Sequence, residues 1–387
     1  MTRAEFGGVV AAIAAITIFS FGMSLSIPLF AIVLERMGLQ GWMIGLNGSA
    51  SALAMTLGGA ILPIILRRTN VPNMIIWAVV IMAALLIIMP LIPNPWVWFV
   101  LRFVFGFAGI CMFFCSEIWI VTTTPEKTKG KWIGIYGLFL SIGFLAGPTL
   151  LRIVGTEGLT PFLIGAAIVS IALIPVILAR KAGRELPRDG ADDTPFKPLA
   201  VFSYFKSDPA VMGAVFLFGV VEFGCMGLIP VWSVRNGLPE QTALLLVALL
   251  AAGNLITNVP MGLISDRFDR RKILLVCSIF CLLAAFAMPA LARETWPLWI
   301  VTAFWGGLAV GLYVIALHEM GARYSGAAFA RANAAFMTAY GGGALVSPLL
   351  MGAALDLWPP HGMFFVLGGA SLAYIALLTL RRRPRAG

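Results

Sequence analysis

Long apolar runs separated by short polar breaks dominate this chain. Each run is long enough, at roughly 20 residues or more, to cross the hydrocarbon core of a bilayer as an α-helix. Their continuous apolar character favours helices over the strands of a barrel, which alternate apolar and polar residues. The pattern therefore predicts an all-α membrane protein with twelve transmembrane helices. We number them spans 1 to 12, and they fall at residues 6–35, 41–66, 73–92, 95–122, 131–154, 159–180, 209–234, 239–264, 272–292, 296–322, 329–355 and 361–380.

One polar connection is much longer than the others. Residues 181–208 contain three prolines and charges of both signs, which is typical of a linker. We therefore predict an N-terminal six-helix bundle at residues 1–180, a cytoplasmic linker at 181–208 and a C-terminal six-helix bundle at 209–387. No cleavable signal peptide is expected, because the first apolar run is too long and continues into the fold.

Composition agrees with a membrane protein. Hydrophobic residues make up 60% of the chain and charged residues only 11%, whereas soluble domains carry about 25% charged residues. The net charge of +10 would suit an acidic partner such as nucleic acid, but most of the 27 Lys and Arg residues fall on one side of the predicted spans. This positive-inside pattern predicts a multi-pass protein of the inner (plasma) membrane with both termini cytoplasmic, and no nucleic-acid partner.

The two halves repeat each other. Sliding one half over the other by about 200 residues aligns identical residues in order at four places. The aligned residues are Phe21-Gly22 with Phe223-Gly224, Gly59 with Gly262, Glu117 with Glu319, and Gly143 and Pro148 with Gly343 and Pro348. Since each half has six spans, the repeats are parallel and pseudo-symmetric about an axis along the membrane normal.

The loop between spans 8 and 9 carries the most informative motif. Residues 262–272 read Gly-Leu-Ile-Ser-Asp-Arg-Phe-Asp-Arg-Arg-Lys, which resembles the major facilitator superfamily signature Gly-x-Leu-x-Asp-Arg-x-Gly-Arg-Arg/Lys, with Asp269 where that family usually has Gly. The resemblance implies the major facilitator fold and a solute transporter. It also implies a gating role, through contacts with helix ends, for Asp266, Arg267, Arg270 and Arg271. The alternative is a generic positive-inside loop.

Spans 5 and 4 carry two further motifs. Gly134, Gly143, Gly147 and Pro148 resemble the helix-5 motif of the drug/metabolite:proton antiporter branch, although Leu151 and Arg152 replace its final glycine pair. This resemblance favours export over uptake and adds Gly143, Gly147 and Pro148 to the gating set.

In span 4, Arg102 and Gly106 resemble the family's helix-4 motif Arg-x3-Gly. A charge inside a bilayer is costly unless it is paired or solvated. Arg102 is therefore expected to face the cavity and to assist proton coupling, unless it snorkels to the interface.

Glu222, near the midpoint of span 7, is the strongest chemical candidate. Burial disfavours the charged form of a carboxylate, so Glu222 is suited to carry a proton or to bind a cationic substrate. The alternative is a structural carboxylate neutralised by a partner such as Arg102. Glu117 and Glu319 either gate the inner mouth together or pair with inner-face arginines.

The resemblance implies a central cavity formed mainly by spans 1, 4, 7 and 10. Apolar and aromatic lining with few polar groups suits amphipathic organic molecules. The candidate substrate-binding residues are Ser20, Ser24, Asn47, Met112, Phe113, Glu222, Met226, Asn254, Asn258 and Tyr313.

Several classes of function are disfavoured. The sequence has no phosphate-binding loop, no metal-ligand cluster and no nucleophile–base arrangement, so we expect no ATP-driven pump, metal, cofactor or enzyme. The five cysteines lie within apolar spans and are expected to pack. We predict a monomeric secondary transporter that exports a small amphipathic molecule by proton antiport with alternating access. The alternatives are an uptake permease or uncoupled facilitator for an organic acid or other metabolite, and a membrane-embedded enzyme or scaffold.

Overall fold

The computed structural model describes residues 2–184, 198–293 and 296–380. Twelve long helices, α1 to α12, follow the predicted spans closely. They are α1 Arg3–Arg36, α2 Gly41–Leu66, α3 Val71–Ile88, α4 Pro95–Thr123, α5 Lys129–Val154, α6 Thr160–Leu178 with a break at Ala172, α7 Pro209–Arg235, α8 Glu240–Arg267, α9 Arg270–Ala290, α10 Trp296–Arg323, α11 Gly326–Leu357 and α12 Gly362–Leu380.

The prediction of an all-α membrane protein with twelve transmembrane helices is confirmed. Among the described residues, 11 helices have the length and apolar composition needed to cross a bilayer. The remaining long helix, α2, has 26 residues and is equally apolar in sequence. Two short helices, Arg180–Arg184 and Pro198–Ser207, lie within or beside the predicted linker, whose residues 185–197 are outside the described part of the chain.

Local sequence signals place several helix ends. The side chains of Asn70, Asn94 and Asp269 accept hydrogen bonds from the first free amide groups of α3, α4 and α9. These residue types are preferred at helix starts because they satisfy amide groups that have no partner within the helix. Proline follows at the first turn of α4 and α7, where its missing N–H costs nothing.

The chain divides into two compact units. Unit 1 comprises Met1–Met37 and Ala50–Pro195, and unit 2 comprises Gly38–Ser49 and Phe196–Gly387. Residues 38–49, which the sequence prediction assigned to the N-terminal bundle, pack with unit 2 instead. Helix α2 therefore contributes its first part to unit 2 and the rest to unit 1.

One helix lies at the centre of each unit. The apolar segment of α1 is 78% buried and that of α7 is 89% buried, more than any other membrane-spanning helix described. Helix α1 packs along α5 in unit 1, and α7 packs along α11 in unit 2. We call these contacts the first seam and the second seam.

Glycine permits both seams. A Cβ on Gly143 of α5 would collide with the Oγ of Ser20 and the carbonyl of Thr17 on α1. A Cβ on Gly343 of α11 would collide with the carbonyl of Phe216 on α7. Small residues let helix backbones approach closely where lipid supplies no hydrophobic driving force between helices. The repeated glycines in sequence thus become repeated helix contacts.

Candidate functional site

The second seam holds a carboxylate at membrane depth. Glu222 on α7 is partly exposed, and its Oε2 accepts a hydrogen bond from the hydroxyl of Tyr340 on α11 at 2.5 Å. Among the described residues, no cationic side chain forms an ion pair with Glu222. A carboxylate that is held by a neutral donor can take up a proton without breaking a salt bridge.

Aromatic rings surround this pair. The ring of Tyr340 stacks on Phe218 with centroids 6.0 Å apart and meets Phe223 edge to face at 6.0 Å. Tyr313, a predicted binding residue on α10, contacts Phe218 at 5.5 Å and Tyr340 at 6.3 Å. These contacts order the side chain of Tyr340, so its hydroxyl is held towards Glu222.

Unit 1 buries a cation instead. Arg102 on α4 is only 2% exposed, and its guanidinium carbon lies 5.3 Å from the centre of the Phe30 ring. Its Nε and Nη1 atoms are buried and have no hydrogen-bond partner among the described residues. Such burial differs from the snorkelling alternative. A guanidinium over an aromatic face gains cation–π energy, but its N–H groups still need acceptors.

Two predicted binding residues of unit 1 lie within the first seam. Ser20 donates to the carbonyls of Ile16 and Thr17, and Ser24 donates to the carbonyl of Gly143 at 3.0 Å. Both serines are fully buried against α5. Their hydroxyl hydrogens are already used by backbone acceptors, which supports a packing role.

The remaining predicted binding residues fall into two groups. Asn47, Met112 and Met226 are at most 3% exposed, and Phe113 packs against Phe19 at 5.5 Å. The Oδ1 of Asn47 is buried and has no partner among the described residues. On α8, Asn254 is partly exposed and Asn258 is exposed.

The gating candidates of the loop after α8 have different surroundings in the structure. Asp266 and Arg267 are exposed. Asp269 caps α9 by accepting from the amide groups of Arg271 and Lys272, and Arg271 donates to the carbonyl of Leu378. Asp269, where the sequence departs from the family signature, therefore stabilises the start of the next helix.

The described residues contain a chain of ion pairs at the same end of unit 2. Arg270 contacts Glu319 at 3.2 Å, and Arg323 bonds to both Glu319 and the buried Asp208. Tyr324 also donates to Asp208, and this environment raises the pKa of the Tyr324 phenol, first through burial and then through Asp208. Glu319 therefore matches the alternative in which it pairs with inner-face arginines.

The structure also places Glu117, His318 and the helix-5 residues Gly147 and Pro148. Glu117 of α4 is exposed, and His318 of α10 contacts the hydroxyl of Ser265 at 2.5 Å through its Nδ1. Gly147 and Pro148 are buried in α5, where Gly147 lies against Ser24.

Sequence reasoning missed the partners of Asp208 and Asp356. Asp208 precedes Pro209 at the start of α7, a position typical of a helix cap, but its side chain makes no capping hydrogen bond and bonds to Arg323 and Tyr324 instead. Asp356 lies in the last turn of α11, a position where a charged side chain is typically solvated. Instead it accepts from the amide groups of Gly41 and Trp42 at 2.8 and 2.9 Å and pairs with Arg235 at 3.1 Å. Nothing in the local sequence indicates these distant partners.

Known proteins resemble this chain over two thirds of its length or more. YfkF, an MFS-type transporter of Bacillus subtilis (strain 168), is 25% identical over 265 residues, which cover 67% of this chain and 66% of YfkF. YE1530, an MFS-type transporter of Yersinia enterocolitica, is 22% identical over 375 residues, which cover 95% of this chain and 93% of that protein.

Two solved structures share the fold. The nucleoside transporter NupG matches with a TM-score of 0.77 and 13% identity, covering 98% of this chain and 99% of NupG. A bacterial homolog of the human lysosomal transporter Spinster, in an inward-facing and unoccupied conformation, matches with a TM-score of 0.71 and 17% identity, covering 98% and 96%.

The family model named Major Facilitator Superfamily matches residues 12–255 and 236–387. Its members bind small-molecule substrates and sit in a lipid bilayer. The twelve-helix fold and the family predicted from the loop motif are thereby confirmed. The chain belongs to the Major Facilitator Superfamily and is a multi-pass membrane transporter rather than an enzyme.

Proposed function

We propose that this transporter exports a small amphipathic organic molecule in exchange for protons. In this proposal Glu222 takes up a proton from the outer side and releases it to the inner side, while substrate moves outwards by alternating access. The observation that carries the proposal is the Glu222–Tyr340 pair, a partly exposed carboxylate at membrane depth that no described cation neutralises.

Two further features support this assignment. Polar groups at membrane depth are costly, so an ionisable side chain there suggests function. The helix-5 residues Gly143, Gly147 and Pro148 match part of the antiporter motif and supply the first seam, which favours export. The proposed setting is the inner (plasma) membrane, with both termini cytoplasmic and the protein acting as a monomer.

The test uses purified protein in liposomes that contain a pH-sensitive dye. Cationic, neutral and anionic organic solutes are added under an imposed pH gradient, and substrate-dependent proton flux is recorded. Glu222→Gln is expected to abolish this flux and to leave the protein folded. Glu157→Gln, an exposed loop carboxylate, is the matched control and should transport normally.

Each outcome decides a different part of the proposal. Flux that depends on solute and is lost only in Glu222→Gln supports proton antiport and identifies the charge class of the substrate. Solute movement without proton flux overturns proton coupling and favours a facilitator. Undiminished flux in Glu222→Gln removes Glu222 from the mechanism.

Arg102 favours a second candidate function, transport of an organic acid. Its buried Nε and Nη1 atoms have no described acceptor, and a carboxylate would supply two. Organic anions should then compete for transport whereas cations should not. Arg102→Met is expected to abolish this competition, while Arg152→Met, at an exposed position, should retain it.

The loop after α8 gives a separate test of gating. If Asp266 takes part in switching between inward-open and outward-open states, Asp266→Asn should slow turnover more than it weakens substrate binding. Turnover equal to that of the unmodified chain would remove Asp266 from the gating set.

A further inference from the structure

Unit 2 contains a pocket at the end opposite the linker, away from Glu222. Its volume is about 530 Å³. The pocket lies where α7 and α9 end and α12 begins. Its lining residues are Asn236, Pro289, Ala290, Ala292, Arg293, Pro360 and His361. In the proposed orientation this end of the unit faces the outer leaflet.

Arg293 gives the pocket a positive charge. The side chain is exposed, and no acidic residue is among those that line the pocket. Glu294 follows Arg293 in the sequence and is outside the described residues. A guanidinium presents a planar set of N–H donors that matches phosphate and carboxylate oxygens.

His361 adds a second donor of defined geometry. Its Nδ1 lies 3.1 Å from the indole Nε1 of the buried Trp232. An indole N–H only donates, so Nδ1 must accept, and the neutral imidazole then carries its proton on Nε2. Trp232 thus fixes the tautomer, and Nε2–H remains to bind a ligand.

Exposed aromatic residues lie close in sequence to the residues that line the pocket, in a pattern that suits a lipid. Trp296 and Trp358 are 66% and 56% exposed, and tryptophan is enriched at the bilayer interface. One helical turn further into α9 and α12 lie Phe286 and Phe365, which are 65% and 59% exposed. Donors for a phosphate therefore lie just beyond apolar surface suited to acyl chains.

We propose that the pocket lined by Arg293 and His361 binds a phosphate group, with a phospholipid headgroup as its source. The guanidinium and the Nε2–H donate to phosphate oxygens, and the acyl chains lie against Phe286 and Phe365. The proposal needs the membrane location but not proton coupling, so failure of the proton-flux test leaves it standing.

The experiment measures lipid binding to the full chain by native mass spectrometry in detergent. The probes are dioleoyl phosphatidylglycerol, dioleoylglycerol, which has the same acyl chains without the phosphate, and glycerol 3-phosphate, which has the phosphate without acyl chains. The tightest binding step of phosphatidylglycerol should weaken about fivefold in Arg293→Ala, because a cation near the membrane surface contributes about 1 kcal/mol to binding an anionic lipid. Arg152→Ala, another exposed outer cation, should change it less than about twofold.

His361→Leu removes the Nε2–H donor, which the control variant His361→Gln replaces with an amide N–H donor while keeping an acceptor for Trp232. His361→Leu should weaken the same binding step, and its effect should not add fully to that of Arg293→Ala if both groups hold one ligand. Dioleoylglycerol and glycerol 3-phosphate alone should bind at least tenfold more weakly, roughly the difference expected from losing either part of the ligand.

Three results would overturn the proposal. Equal losses in Arg293→Ala and Arg152→Ala would show that the pocket is not involved. Glycerol 3-phosphate binding as tightly as the lipid would make the site one for soluble phosphate. A loss in Glu294→Gln as large as that in Arg293→Ala would show that binding does not depend on the positive charge of the pocket.

Discussion

The two seams share a backbone arrangement but differ in the polar group they hold. Ser20 in the first seam occupies the position that corresponds to Glu222 in the second, because each precedes the repeated Phe-Gly pair. The Ser20 hydroxyl is satisfied by carbonyls of its own helix. Glu222 is instead satisfied by Tyr340 on the neighbouring helix. The repeat thus preserves helix packing, while the residue before the Phe-Gly pair is ionisable only in the second seam.

The two units also differ in how their charged side chains at membrane depth are satisfied. Unit 1 buries Arg102 without a described acceptor on Nε or Nη1, whereas the described Glu222 carboxylate in unit 2 has a donor. A structural ion pair would satisfy both groups within the protein. Arg102 lacks described acceptors on two nitrogen atoms, and Glu222 has a neutral donor rather than a described cation, so the comparison can be tested group by group.

Substitution of the two seam glycines should have the largest effect on stability. Gly143→Ala and Gly343→Ala place a Cβ against backbone atoms of α1 and α7, so each should destabilise the protein by about 3 kcal/mol. Gly137→Ala on the same helix as Gly143 is the control, because a Cβ added there would meet no atom within 4 Å; it should be neutral or stabilise by up to about 1 kcal/mol.

Thermal unfolding followed with a thiol-reactive dye provides the measurement. All five cysteines are buried, so the dye reacts as the helices separate. Equal melting temperatures for the Gly143 and Gly137 variants would show that the first seam does not need a close approach of α1 and α5.

Arg102→Met should have the next largest effect, and it should be stabilising. Methionine has a similar shape and no donors to leave unsatisfied, so stability should rise by about 2 kcal/mol while transport falls. Dye-monitored melting and the liposome assay measure the two quantities. Arg152→Met, at an exposed position, should change neither. A lower melting temperature for Arg102→Met would mean that the guanidinium is well compensated.

These contrasts show what sequence could provide. The spans were predictable because bilayer thickness sets the length of an apolar helix, and the family because the residues of the loop motif are contiguous. Tyr340 was not predictable as the partner of Glu222, since 118 residues separate them and only the second seam brings them together. Ser20 and Ser24 were assigned to a substrate cavity because sequence shows that a residue is polar but not which helix it faces.

A tyrosine hydrogen bond within each unit can be compared with the one in the other unit. Tyr340→Phe removes the donor to Glu222 and should cost about 1.5 kcal/mol, since hydrogen bonds to charged groups are the stronger ones. Tyr136→Phe removes a neutral bond to Ser116 of 2.9 Å in unit 1 and should cost about 0.6 kcal/mol. Only Tyr340→Phe should alter proton flux in liposomes. An equal loss of flux in both variants would contradict a special role for the second seam.

The helix caps of the two units should contribute similar amounts to the free energy of unfolding. Asn70→Ala and Asp269→Ala each remove a side chain that accepts from amide groups at the start of α3 or α9, so each should cost about 1 kcal/mol. Asp266→Ala is the control for the second loop, because Asp266 is exposed and caps no helix. Melting temperatures that fall as much for Asp266→Ala as for Asp269→Ala would contradict the capping role of Asp269.

Two buried tryptophans, Trp98 and Trp232, give the smallest and most specific contrast. Trp98 in unit 1 donates to the carbonyls of Met89 and Ile92, which do not titrate, whereas Trp232 in unit 2 donates to His361. Burial lowers the pKa of His361 below its ordinary value, so the folded protein binds this proton less readily than the unfolded chain does. The stability that neutral His361 contributes is therefore present above about pH 6.5 and is lost as pH falls below it.

Melting should reveal this loss as a difference between variants. From pH 7.5 to pH 5.5, the unmodified chain should lose about 1 °C more than His361→Gln, whose side-chain oxygen still accepts from Trp232 at either pH. Trp98→Phe should lower the melting temperature by the same amount at both pH values, because its partners are carbonyls. If His361→Gln and the unmodified chain respond identically to pH, then Nδ1 of His361 is not the acceptor that protonation would remove, and the hydrogen bonds of Trp98 and Trp232 are equivalent in this respect.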